Sequence, residues 1–184
     1  MSNNFNILGI DPGTNTGISI INLNYEDLSI NYIKTFTINL NNYIDESLPK
    51  IYKDADKLLA LESILMDLLI EYNPKILAME NAFFNKKFPL SGLILSSFVG
   101  VITMTVRKFN KKLKIYKLQP KYVKSNIAKG DAFKDDMKLA VKNNEVLNKY
   151  INVEEETEHS IDATAIAYVL IKILNEYPYV LLDT

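Results

Sequence analysis

Two short apolar runs, FNILGI at residues 5–10 and KILAM at 75–79, each lead into a carboxylate, Asp11 and Glu80, and a stretch of leucines at helical spacing separates them. Apolar runs this short, bounded by turn residues, read as buried strands. Leu58, Leu61, Leu65, Leu68 and Leu69 predict an amphipathic helix over about 54–72, with Asn73 and Pro74 as its stop. After the first carboxylate, GISIINL (17–23) and the alternating LSINYIKTFTINL (28–40) keep strand composition, so two or three antiparallel strands open the chain. Further on, residues 91–108 read as a helix buried on most sides, with Ser96, Ser97 and Gly100 allowing close approach of another backbone. KLKIYKL (112–118) is a further strand, Pro120 opens a helix at its first turn, residues 134–147 make another, and the alanine-rich 159–174 forms a last helix, apolar nearly all round. This order predicts one α/β domain over 1–184, a central mixed sheet flanked by helices. Such domains place chemistry at the ends of strands along one sheet edge.

Composition narrows that chemistry. A chain of 184 residues, 48% apolar and without a Pro/Gly-rich spacer, has a core of its own and no reason to split. The absence of cysteine excludes disulfides, thiolate nucleophiles and cysteine-held metals, so any metal must sit on oxygen and nitrogen. MSNNFN has no features of a secretory signal, and the apolar stretch 92–106 falls short of the roughly 20 residues that span a bilayer. The expectation is a soluble cytoplasmic protein without a membrane partner, bacterial or, if phage-encoded, in the host cytoplasm. Net charge is only −1, yet Arg107, Lys108, Lys111, Lys112, Lys114, Lys117, Lys121, Lys124 and Lys129 follow one another with no acidic residue between them. A run of that kind favours a phosphate-tracking patch over a merely solvated face.

Asp11, Glu80 and Asp162 come from three distant parts of the chain and all abut core elements, where an unpaired carboxylate needs a reason. If they converge, protonation or cations must relieve their repulsion. Oxygen-rich sites suit Mg²⁺ or Mn²⁺, and two such ions about 3.5–4 Å apart would activate a water and stabilise a leaving oxygen. Singly, each residue has an ordinary explanation: an Asp-Pro-Gly turn for Asp11, a strand-end surface group for Glu80, and a first-turn residue favoured by the helix dipole for Asp162. His159 lies three residues before Asp162 on the same helix face and by itself reads as a helix-start residue. Only the joint pattern raises them above these explanations.

The ordered set GIDPGTNTG, LAMEN, KYVKSNIAKGDAFKDDM and HSIDATAIA resembles the RuvC-type Holliday junction resolvases, which have the ribonuclease H-like fold, over about residues 6–174. The resemblance implies that Asp11, Glu80, His159 and Asp162 are catalytic and hold two Mg²⁺ ions, with Mn²⁺ able to substitute, and that Lys134 offsets charge on the phosphate. It also puts Phe83 at the place of an aromatic that wedges the crossover, with Phe84 beside it. Phenylalanines and lysines together, here with Lys86 and Lys87, suit unpaired bases. Lys121, Lys124, Lys129 and Lys134 become candidate phosphate contacts. Many members carry aspartate where His159 stands, so here an imidazole would bind metal or carry a proton. The segment 22–56 is longer and more divergent than the family pattern. The implied activity is symmetric nicking of four-way or related branched DNA by a homodimer, leaving 5′-phosphate and 3′-hydroxyl ends. The glycines around Asp11 are expected to turn the chain tightly enough for a DNA backbone to approach.

Two rivals remain on the sequence. An actin-like or sugar-kinase-like phosphate loop would explain DPGTNTG, but that fold needs a second glycine-rich loop, and the six glycines include no cluster after residue 130. No nucleotide cofactor is therefore expected. The other rival is a non-catalytic branched-DNA-binding protein of the same fold.

Overall fold

The computed structural model describes residues 3–82, 89–128 and 134–177, the side chains of Pro89, Ser91, Lys134 and Asp135 excepted. Three strands open the chain, β1 (Asn4–Asp11), β2 (Asn15–Asn24) and β3 (Ile30–Asn39). Then come helix α1 (Lys50–Tyr72), strand β4 (Ile76–Glu80), helix α2 (Pro89–Phe109), strand β5 (Lys114–Leu118) and helices α3 (Pro120–Ile127), α4 (Lys134–Lys142) and α5 (Glu158–Glu176). The sheet order is β3-β2-β1-β4-β5, antiparallel from β1 to β3 and parallel from β1 to β5.

The two-residue period of a strand sorts the side chains between two cores. Phe5, Ile7, Ile21, Leu23, Ile76 and Ala78 pack with the buried side of α5 and with α3 and α4 residues such as Val123 and Met137. Their neighbours Leu8, Ile10, Ile18, Ile20, Leu77 and Met79 pack with α1 and α2. The same parity carries on to the strand ends. Asp11 follows Phe5, Ile7 and Gly9, and Glu80 follows Ile76 and Ala78, so both carboxylates belong to the α5 face. Because Ile10 pairs with Met79, they also end side by side on neighbouring parallel strands.

Three expectations change. Helix α2 is not buried on most sides: Leu90, Leu93, Ile94 and Met104 are 72, 64, 55 and 53% exposed, while Phe98, Val99, Ile102 and Val106 turn inward. A Cβ on Gly100 would meet nothing within 4 Å, so no backbone among the described residues approaches it. The length argument against a membrane span was also too strict, since Gly92–Phe109 is long and apolar enough by composition; its inward face nonetheless belongs to the core beside α1. Finally, the helix expected over 134–147 stops at Lys142, where the Asn144 side chain takes the backbone N–H groups of Val146 and Leu147 into a turn.

Candidate active site

The Asp-Pro-Gly segment joins β1 to β2 as a hairpin, with the Thr16 hydroxyl donating to Gly13 O at 2.6 Å and the Leu40 N–H to Thr14 O at 2.9 Å. No glycine among the described residues has a positive φ, and a Cβ on Gly13 would make only ordinary contact, 3.5 Å from Asn15 O. The expected tight turn is therefore not what these glycines provide. Gly9 and Gly17 instead let α5 lie flush on the sheet: a Cβ on Gly17 would stand 1.9 Å from His159 O, and one on Gly9 2.4 Å from Ala163 O.

A buried hydroxyl cluster completes that seat. Thr164 Oγ1 lies 3.2 Å from Ser19 Oγ, 3.2 Å from Thr35 Oγ1 and 2.9 Å from Ser160 O, and Thr35 Oγ1 is 3.0 Å from Ser160 O. The Thr157 side chain caps the helix by accepting from Ser160 N at 3.1 Å, and its hydroxyl also meets that of Thr37. Sequence reasoning passed over Ser19, Thr35 and Thr164. The available signal was polar residues at core-facing positions of β2 and α5, since Ser19 alternates with Ile18 and Ile20, and Thr164 sits among alanines.

The first turn of α5 thereby comes to the carboxyl ends of β1 and β4. His159 Nδ1 is 2.9 Å from Asp11 Oδ2, and its Nε2 is 3.5 Å from Glu158 Oε1. Glu80 and Asp162 are mostly buried beside them. Burial, then repulsion from Asp11 and Asp162, pushes the Glu80 carboxyl up to about 8, against the opposing pull of Lys124. Burial and the Asp11 charge raise Asp162 to about 6, with Lys124 and His159 opposing. The three carboxylates expected to converge thus sense one another, and Lys124 on α3 acts on two of them.

The four expected ligands are not a preformed cage. Among the described residues no group of three or more His, Asp or Glu side chains is arranged to hold an ion, and Asp11 is turned to His159. The donor set still fits a hard divalent cation. It is made of oxygens with one imidazole, and two carboxylates are held at raised pKa by burial and like charge, a cost that a nearby cation removes.

The basic run does not form one patch. Lys121 and Lys124 on α3 follow the carboxyl end of β5, whose Leu118 pairs with Glu80. Arg107, Lys108, Lys111, Lys112 and Lys114 lie at the opposite end of the sheet, around the turn from α2 into β5. There the Arg107 guanidinium donates to Lys111 O and Leu113 O, and Lys108 pairs with Glu62, so both cations serve the fold. Phe83, Phe84, Lys86, Lys87 and Lys129 lie outside the described residues, as does the Lys134 side chain.

Residues 7–170 match the family Crossover junction endodeoxyribonuclease RuvC. A protein of that name from Prosthecochloris aestuarii is 27% identical over 151 residues, 81% of this chain and 71% of its own. Another, from Dictyoglomus turgidum, is 30% identical over 138 residues, 74% of this chain and 79% of its own. Among solved structures, Thermus thermophilus RuvC in complex with Holliday junction substrate superposes with a TM-score of 0.60 at 17% identity, covering 89% of this chain and 90% of that one. The mixed sheet and flanking helices are those of the ribonuclease H-like resolvases, and with a family match over most of its length the chain belongs to the RuvC family of crossover junction endodeoxyribonucleases.

Proposed function

We propose that this protein is a divalent-metal-dependent endonuclease selective for branched DNA, and that it resolves four-way junctions by symmetric nicking. The observation that carries this reading is the meeting of Asp11, Glu80 and Asp162 at one sheet edge, where Asp11 helps to raise the proton affinity of both Glu80 and Asp162. The likeness to a resolvase bound to Holliday junction substrate supports the choice of DNA.

Asp11, Glu80, Asp162 and His159 would hold Mg²⁺ or Mn²⁺ as two ions, which when bound supply an activated water and charge neutralisation at the departing 3′ oxygen. Glu80, which keeps its proton to about pH 8 without a cation, must release it for the site to load. His159 is oriented through Nδ1 by Asp11, leaving Nε2 as the atom that binds metal or moves a proton. Lys124 offsets negative charge between Glu80 and Asp162, and Lys134 does so at the phosphate. Lys121 extends this positive rim for the backbone of the DNA. Symmetric nicking needs two sites and so a homodimer. The exposed stripe Leu93, Ser97, Gly100 and Met104 on α2 offers a second copy an apolar face with a gap at Gly100.

The test compares nicking of labelled four-way, forked, flapped and linear duplex DNA with Mg²⁺ or Mn²⁺. Junctions should be cut and linear duplex spared, and Asp11→Asn or Glu80→Gln should abolish cutting while junction binding persists. Equal cleavage of linear duplex, or undiminished cutting by both variants, overturns the reading. Sedimentation should give a dimer at micromolar concentration; a monomer with and without junction DNA removes the symmetric mechanism.

A further inference from the structure

Two lysines that the active site leaves unused, Lys75 and Lys112, line a cleft at the other end of the sheet. Its volume is about 680 Å³, and Asn6, Tyr72, Asn73, Lys75, Asn110 and Lys112 line it with no acidic residue among the lining. That volume falls in the range of ligand sites. Lys75, Lys111 and Lys112 are exposed and make no ion pair among the described residues, unlike Lys108, which is held by Glu62. Lys75 Nζ stands 5.3 Å from the centre of the Tyr25 ring, which in turn packs edge-on against Phe5 at 5.4 Å.

The cleft is held in shape by its own hydrogen bonds. Asn6 donates through Nδ2 to Tyr72 O at 2.6 Å and accepts from Asn22 Nδ2 at 2.7 Å, tying β1 to β2 and to the end of α1. The Lys75 N–H donates to Asn6 O at 3.0 Å, and on the other wall the Arg107 guanidinium and the Asn110 side chain fasten the turn that carries Lys111 and Lys112. Lys75 and Lys112 on this frame, with Lys111 next in the chain and no carboxylate paired to any of the three among the described residues, favour an anion. Distance sets which anion. The eight residues of β1 rise about 3.3 Å each, so the cleft lies about 23 Å from Asp11. At 3.4 Å of rise per base pair, that is about seven base pairs of duplex.

We propose that this cleft is a second phosphate site for nucleic acid, gripping the backbone of a duplex arm about seven base pairs from the nicked phosphate. Its position relative to the nick rests on the junction-nuclease reading; its affinity for duplex does not. The variant Lys75→Ala/Lys111→Ala/Lys112→Ala changes exposed side chains only, and an unchanged unfolding temperature would show it folded. Binding is measured in EDTA against a 30-base-pair linear duplex across salt concentrations. Losing three phosphate contacts should lower the salt slope by about 2–3 and weaken binding at least several-fold at low salt. On a four-way junction with hairpin-capped arms of about five base pairs, too short to reach the cleft, binding and nicking should equal those of the wild type. An unchanged duplex slope, or equal loss on the short-armed junction, overturns the proposal. So does competition by poly-glutamate for these lysines without effect on duplex binding, which would assign the cleft to an acidic polypeptide. Failure of the wild type to nick any junction would refute the nuclease reading while leaving the duplex slopes to judge the cleft.

Discussion

The two helices that sandwich the centre of the sheet are apolar in similar measure but live differently. Helix α5 buries Ile161, Ala163, Ala165, Ile166, Ala167, Val169 and Leu170, and glycines and hydroxyls fasten it to β1, β2 and β3. Helix α2 buries one side and leaves leucines, a methionine and Gly100 open to solvent. The difference teaches where precision is spent. The α5 face carries His159 and Asp162 against Asp11 and Glu80, whereas the outer α2 face has no such partner among the described residues.

The largest effect expected from breaking this contrast is at Gly17. Gly17→Ala places a methyl against the His159 carbonyl, and the helix must lift; destabilisation of about 3 kcal/mol or more is expected in urea unfolding, with loss of nicking. Gly100→Ala on the other face should instead leave the monomer fold intact. Equal costs at the two positions would erase the distinction.

Next comes pH. Both Glu80 and Asp162 bind protons more tightly in the folded protein than in the unfolded chain, whose carboxylates titrate near 4. Below that pH both states are protonated and folding bears no penalty. As pH rises, the unfolded chain ionises first and gains, so metal-free protein loses stability progressively until pH passes about 6 for Asp162 and about 8 for Glu80. The loss should be on the order of 3 kcal/mol between pH 5 and 8, read as a falling unfolding temperature. Glu80→Gln should flatten most of that fall, and Mg²⁺ should raise the unfolding temperature more at pH 8 than at pH 5. A flat profile in the wild type would mean that the carboxylates do not sense one another.

Smaller again is the hydroxyl seat. Thr164→Val takes the Thr164 hydroxyl from buried Ser19, while Thr35 keeps Ile18 O and Ser160 O, and should cost about 1–3 kcal/mol, with Thr164→Ser recovering most of it. On α2, Thr103 bonds back to Val99 O, at 2.7 Å, within its own helix, and Thr103→Val should change stability by no more than about 0.5 kcal/mol. Of comparable size is the expected gain of about 0.5–1 kcal/mol from Gly100→Ala, by helix propensity alone. Sedimentation of the same variant sharpens the α2 side: a weakened dimer places the second copy there.

Much of this was legible in residue order. The leucine spacing of α1, the stop at Asn73, Pro120 opening α3 and carboxylates at two strand ends are local signals, and local chemistry reads them. The exposed side of α2 was not legible, because an apolar helix looks the same whether its second face meets a core or solvent. Nor was the division of the basic run, since neighbours in sequence on either side of β5 end at opposite poles. Gly9 and Gly17 looked like turn residues because their partner, the α5 backbone, lies far along the chain.

By itself, then, the sequence determined most of the elements, the family and which residues are candidates for the site, because periodicity, turn chemistry and motif order are written in neighbours. Only the tertiary structure decided that Asp11 and Glu80 share the α5 face, that His159 faces Asp11, and that a basic cleft opens at the other pole. Those facts depend on strand register and helix docking, where an offset of one residue would turn either carboxylate to the other side of the sheet.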